Sequence, residues 1–323
     1  MVKAIRVHQP GGPDVLVMEE IDLPAPADDE VQIRHRAIGV NYIDIYRRSG
    51  AYPADYPFIP GHEGAGEVIA VGEKAKSFKV GERVAYVGAL GGYSEARNIA
   101  ADSVIHLPKA FSYEQGAAIM LKGLTAQYLL RRTFKVKKGH RVLVHAGAGG
   151  VGQILCQWAS ALGAKVIATV GSADKAKIAE EAGARHTILY REENFVERVR
   201  ELTKGKLCDV VYDGVGRATF PDSLDCLKPF GMFVSFGSAS GPIAAFDIGL
   251  LALKGSLYAT RPSLFTHIAR RRDYEAMMDD LVRAAKRGFV TFGEPARFPL
   301  AEAAKVHAAL ESRATSGSMV LIP

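Results

Sequence analysis

From Met1 to about Met120, apolar and polar positions alternate in short runs: VKAIRVHQ, DVLVMEEI, EVQIRHRAIGV, GAGEVIAVG and ERVAYVG, with Gly-Gly-Pro, Pro-Ala-Pro and Gly-Glu between them. Runs of this kind bounded by turn residues predict a mostly antiparallel, barrel-like sheet. One stretch, Asn41-Tyr-Ile-Asp-Ile-Tyr-Arg-Arg, predicts a short helix instead. On it Asn41 and Asp44 share a face, and so do Tyr42 and Tyr46.

After Lys122 the pattern changes. RVLVHAG, KVIATVG, HTILY, CDVVYDG, GMFVSFG and GSLYAT read as strands, and GGVGQILCQWASALG, ADKAKIAEEAG, ENFVERVRELT and ATFPDSLDCLK as helices. Six strands separated mainly by helices predict an α/β fold with a doubly wound parallel sheet of Rossmann type. Beyond Pro262 come an amphipathic helix (YEAMMDDLVRAAKRG), a short helix near 301–312 and a terminal strand, SMVLIP. With no seventh strand of the parallel pattern, this tail is expected to return to the first domain. The expected division is 1–122 with 262–323, and 123–261.

Composition narrows the class. The chain has 323 residues, about twice the ~150 of a single domain, so two domains are expected. Asp247 breaks the run from Pro242 to Leu253, and no apolar stretch reaches the ~18 residues of a membrane span. The N-terminus lacks a basic-then-apolar leader, which points to a cytoplasmic protein. Cys156, Cys208 and Cys226 have no C-x-x-C spacing and sit in apolar segments, so buried reduced thiols are expected. Net charge is +6, from 41 basic and 35 acidic residues. The basic clusters at 131–138 and 270–272 have no interleaved aromatic platform beyond Phe134, so nucleic acid is not an expected partner.

The chemistry is concentrated in one turn. Gly147-Ala-Gly149-Gly150-Val151-Gly152 fits G-x-G-x-x-G, directly after an apolar strand and directly before a helix. In that context the glycines permit a tight turn, backbone approach to a pyrophosphate and close helix packing, and amides at the helix start face the anion. A site for NAD usually carries an acid at the end of the next strand. Here that stretch is Thr169-Val-Gly171-Ser172, and Asp174 already lies in the next helix, for which Ser172 is the expected N-cap. Lys175, with Tyr190 and Arg191 at the end of the third strand, points instead to a 2′-phosphate pocket and hence to NADPH.

The series GVNYIDIYRRSGAYP, FIPGHEGAGEV, LKGLTAQYLL, the GAGGVG turn, VYDGVG, SFGSASG and ESRATSGSMVLIP resembles the zinc-independent quinone oxidoreductases, the zeta-crystallin-like branch of the medium-chain dehydrogenase/reductase superfamily. The likeness covers essentially the whole chain. It implies a GroES-like catalytic domain completed by the tail, a Rossmann domain binding NADPH in the cleft, and transfer of reducing equivalents from NADPH to a quinone. It also implies that Asn41, Asp44, Tyr46 and Tyr52 line the nicotinamide end, bordered by Phe236 and Ser238. Thr125 is then near the ribose, Gly149 to Val151 at the pyrophosphate, and Lys175, Tyr190 and Arg313 around the 2′-phosphate. Zinc-dependent relatives have cysteines where this sequence has Asn41 and the Gly123 to Thr125 region, and only His62 matches their ligands. No cysteine precedes Cys156, so no metal is expected. Glu63 is assigned no chemistry. Two other readings stay open: reduction of an activated alkene such as an alkenal or enone, and a structural or regulatory NADPH-binding role of crystallin type. GSLYAT, an apolar outer strand, is expected to pair with a second copy in a homodimer.

Overall fold

The computed structural model describes residues 1–312 and 317–323. The first compact unit comprises residues 1–121 and 292–323, and the second residues 122–291. In the first, β1 (Val2–Arg6) and β2 (Val17–Ile21) form an antiparallel ribbon. The long β3 (Glu30–Gly39) buries Val31, Ile33, His35 and Ala37 and leaves Gln32, Arg34 and Arg36 outside, the period of a strand with one face on a core. The helix α1 (Tyr42–Arg48) follows, then β4 (Glu63–Val71), β5 (Arg83–Val87), β6 (Ala96–Ala100) and β7 (Val104–His106). Strand β3 pairs antiparallel with both β4 and β6, and β5 joins β4 to β7.

The helix α2 (Tyr113–Tyr128) runs from the first unit into the second and ends in a π-helical turn, Leu129–Thr133. The second unit continues with β8 (Arg141–His145), α3 (Gly150–Ala161), β9 (Lys165–Val170), α4 (Ala173–Glu181), β10 (His186–Leu189), α5 (Phe195–Leu202), β11 (Cys208–Asp213) and β12 (Leu227–Ser235). It then adds α6 (Gly249–Leu253), β13 (Tyr258–Thr260), α7 (Leu264–His267) and α8 (Arg271–Lys286). The strand order is β10-β9-β8-β11-β12-β13, and every pairing is parallel. This is the Rossmann order, and β11 is buried along its whole length, as a central parallel strand covered on both faces must be. The helix expected at 218–228 is only a 3₁₀ turn, Asp222–Cys226. Pro221 at its start lacks an N–H, and Asp213 instead ties down Thr219 and the backbone before it. All three cysteines are free and buried, and burial pushes the Cys156 thiol up to about 12.

The tail returns to the first unit as β14 (Ala296–Pro299), α9 (Ala303–Glu311) and β15 (Met319–Ile322). Strand β15 pairs with β14 and with the end of β3. Leu300, Val306, Met319 and Leu321 share one core with Ile5, Val7, Ile38 and Val40. The return begins at Phe292, thirty residues later than the expected 262. The physical cause is α8, which buries Tyr274, Met277, Met278 and Leu281 within the second unit. A Cβ on Gly123 of α2 would sit 2.7 Å from Leu281 Cδ2, Gln127 donates to Asp280 at 3.0 Å, and Arg132 pairs with Asp273 at 3.3 Å. Among the described residues no helix is long and apolar enough to cross a membrane.

Candidate active site

In the second unit the glycine turn leads from β8 into α3. None of Gly147, Gly149, Gly150 and Gly152 has a positive φ, and contact demands glycine at 147 and 152. The left-handed residue is Ala146, at φ 55°, so the expectation that the first glycine makes the turn is corrected: it makes room. A Cβ at Gly147 would lie 2.5 Å from Ala168 Cβ on β9, and one at Gly152 would overlap the Ala146 carbonyl oxygen. Gly149 is the N-cap of α3 and supplies no side chain, so the first amides of that helix have no capping group from its own N-cap. A turn stripped of side chains at the start of a helix is a cradle for a pyrophosphate.

One strand over, Ser172 caps α4 as expected, its Oγ accepting the Lys175 N–H at 3.4 Å. Tyr190 reaches across from the end of β10, and a Cβ on Gly171 would meet its hydroxyl at 2.9 Å. Gly171, Ser172, Lys175 and Tyr190 therefore gather at the carboxyl ends of β9 and β10. Asp174 points to solvent and pairs with Lys177 at 3.5 Å. Arg313, the remaining expected phosphate contact, lies outside the described residues.

At the end of β12, Phe236 and Ser238 lie in a segment tied to the turn after β11. The Phe236 N–H donates to Asp213 O at 2.8 Å and the Ser240 N–H to Val215 O at 2.8 Å. Asp213 is fully buried and accepts from the Val215 and Gly216 N–H groups at 2.7 and 3.1 Å. Thr125 is buried on α2 beside Tyr128, whose phenol burial pushes up and a hydrogen bond with Thr125 draws back.

In the first unit, Asn41 is the N-cap of α1, and its N–H donates to Asp44 Oδ2 at 2.9 Å. Its Nδ2 donates to Glu63 Oε1 at 2.7 Å, while Glu63 Oε2 accepts the Leu121 N–H at 2.6 Å. Asp44 is 0% exposed, so it is corrected from a pocket-lining residue to a buried anchor of the helix start. Its carboxylate accepts from Tyr93 Oη at 3.3 Å, and Tyr93 Oη lies 2.9 Å from His307 Nε2. His307 Nδ1 is 3.3 Å from Arg48 Nη1, and Arg48 also holds Glu311 at 2.6 Å. Since a guanidinium only donates, His307 Nδ1 must accept. Its proton is then on Nε2, and the chain runs from Arg48 through His307 and Tyr93 to Asp44. Burial, then the Arg48 charge, lowers His307 to about 3, so the ring is neutral. Tyr46 and Tyr52 are half-buried with ring centroids 5.1 Å apart, and Tyr42 lies 6.2 Å from Tyr46.

The zinc-ligand positions hold an amide at Asn41 and a hydroxyl at Thr125, neither of which supplies the thiolate a catalytic zinc site uses. His62 donates from Nδ1 to Gly88 O at 2.7 Å and is lowered by burial to about 4, a structural histidine. Among the described residues no group of three or more His, Cys, Asp or Glu could hold a metal.

A GroES-like sheet joined to a Rossmann unit with a glycine cradle defines a medium-chain dehydrogenase/reductase. Residues 27–109 match the alcohol dehydrogenase GroES-like domain, and 150–283 match a domain described as zinc-binding dehydrogenase. Over the full length of both chains, this one is 50% identical to a quinone oxidoreductase of Pseudomonas aeruginosa. The crystal structure of Escherichia coli quinone oxidoreductase complexed with NADPH superposes with a TM-score of 0.96 at 49% identity, covering 99% of this chain and 100% of that one. A 2-haloacrylate reductase from Burkholderia sp. is 43% identical, covering 100% of this chain and 99% of its own. The chain belongs to the quinone oxidoreductase family.

Sequence reasoning missed Arg48, Tyr93 and His307, and it gave Glu63 no chemistry. Glu63 carried a signal: an acid two residues after Gly61 and at the start of an apolar strand had to find buried partners. Tyr93 and His307 are 214 positions apart and carried none.

Proposed function

We propose that this protein is an NADPH-dependent quinone reductase that works without zinc. The observation that carries it is the full-length likeness to quinone oxidoreductases, joined to a cradle with a cation in place of an acid at the end of β9. NADPH supplies a hydride when bound. The residues fit it: the amides at the start of α3 take the pyrophosphate, and Ser172, Lys175 and Tyr190 take the 2′-phosphate. Gly171 leaves that end open. In the second unit Thr125 serves the ribose, and Phe236 and Ser238 serve the nicotinamide end. Tyr46 and Tyr52 face the quinone, where a phenol hydroxyl can donate to the oxygen that gains charge. Asp44 acts through α1, by fixing the helix that bears Asn41 and Tyr46.

The edge strand β13 supports a homodimer. It is the last strand of its sheet, and Tyr258, Ile248 and Leu253 near it are 58, 76 and 81% exposed. An isologous pairing of two such edges covers these apolar groups and satisfies the open backbone. We place the protein in the cytoplasm.

The likeness to a 2-haloacrylate reductase favours a second reading, reduction of an activated alkene. Anaerobic NADPH consumption with 1,4-benzoquinone, a naphthoquinone, an alkenal and 2-chloroacrylate separates the two. Quinone turnover well above alkene turnover is expected. Alkene turnover without quinone turnover replaces the first reading with the second, and NADPH binding without any turnover leaves a structural role.

A further inference from the structure

The geometry points to Arg261 as the positioning residue of the nicotinamide end. It follows β13 directly, at the carboxyl edge of the parallel sheet where ligands of such sheets bind. Its Nη1 donates to Ser235 Oγ at 3.0 Å and to Gly237 O at 2.8 Å, and its Nη2 to Ser238 Oγ at 3.2 Å. One guanidinium thus spans the stretch that carries Phe236 and Ser238.

The opposite side of that stretch is held by the Asp213 turn. Beyond the bonds from Phe236 and Ser240, a Cβ at Gly237 would lie 2.5 Å from Gly214 O, and one at Gly214 would meet Phe236 Cζ at 2.9 Å. The two motifs VYDGVG and SFGSASG are therefore pressed together on glycine, and this contact sets where the Phe236 ring sits. The Ala239 N–H also donates to Gly214 O at 3.2 Å, and to this backbone frame Arg261 adds ties to Ser235 Oγ, the Gly237 carbonyl and Ser238 Oγ. The guanidinium serves the three acceptors from two nitrogens of one rigid plane, a spread that a lysine, a point charge on a flexible stem, does not reproduce.

The inference rests on the NADPH reading above. The test compares dissociation constants for NADPH and for adenosine 2′,5′-bisphosphate, which has the phosphate end and no nicotinamide, in wild type, Arg261→Ala and Arg261→Lys. NADPH is followed by its own fluorescence, which reports the surroundings of the nicotinamide without turnover. Losing the clamp should weaken NADPH about tenfold in both variants, the effect of roughly one charge-assisted hydrogen bond. The bisphosphate should stay within about twofold, and the fluorescence enhancement on binding should fall. Equal weakening of both ligands overturns the inference in favour of a general structural role. Rescue by lysine overturns it in favour of simple charge attraction. A wild type that binds NADPH without reducing quinones defeats the proposed function and leaves this comparison intact.

Discussion

On the proposed function, Lys175 carries the cofactor choice. It stands one turn into α4 on a helix capped by Ser172, with the Tyr190 hydroxyl over Gly171 beside it. A hydrogen bond to a charged group is worth about 1.5–3 kcal/mol, so Lys175→Ala should weaken NADPH roughly 10- to 150-fold and leave NADH nearly unchanged. Dissociation constants at fixed ionic strength check this, because phosphate contacts are screened by salt. A second prediction concerns acid. Burial holds the His62 imidazole at about 4, against 6.5 for the exposed ring. As pH falls through 6.5 the unfolded chain takes up the proton first, so stability that is full above 6.5 is lost progressively down to about 4. His62→Asn keeps a donor for the Gly88 carbonyl and does not titrate. Between pH 6.5 and 4.5 the wild type should lose about 2 kcal/mol more than this variant, read by urea unfolding. The carboxylates of Glu67 and Glu82, held low by their hydrogen bonds, add their losses at more acid pH. Single residues were legible where the geometry is local: the glycines lie in the β8–turn–α3 unit, and the Ser172 cap lies in the β9–turn–α4 unit. Asp44 was misjudged because its fate depends on Tyr93 and on His307 from the far end of the chain.

Elements were legible where one period ran unbroken. All six parallel strands announced themselves as apolar runs between glycine turns. The helix α2 did not, because Gly116 and Gly123 interrupt it. Both have packing reasons invisible in a pattern: a Cβ at Gly116 would meet Leu107 Cδ1 at 2.7 Å, and Gly123 admits Leu281. The same contact keeps α8 in the second unit, which is why the boundary expected at 262 moved to 292. Strands β6 and β7 are short and break the alternation with Arg97 and Asn98, so pairing with β3 and β5 defines them, and the pattern does not. The glycine cradle gives the prediction at this scale. Gly152→Ala forces a Cβ against the Ala146 carbonyl, and the overpacking should cost about 1–3 kcal/mol of stability. Gly149→Ala meets that oxygen at 3.2 Å and should cost less. Chemical denaturation of the two variants gives the order.

For the whole molecule, the edge of the six-stranded sheet is the place to test association. Leu257 is buried in the core of the second unit, so substituting it unfolds the edge and reports nothing about pairing. Tyr258→Asp changes an exposed side chain and, across a two-fold axis, sets two like charges near each other. Sedimentation at micromolar concentration should show a dimer for wild type and a monomer for the variant at unchanged Tm. Reduction of a quinone by NADPH without a metal is tested by kcat/KM for NADPH and for NADH with 1,4-benzoquinone, on protein treated with a strong chelator. Full activity after chelation and a clear preference for NADPH are expected. Activity lost to the chelator and restored by zinc, or an equal or better rate with NADH, would contradict it.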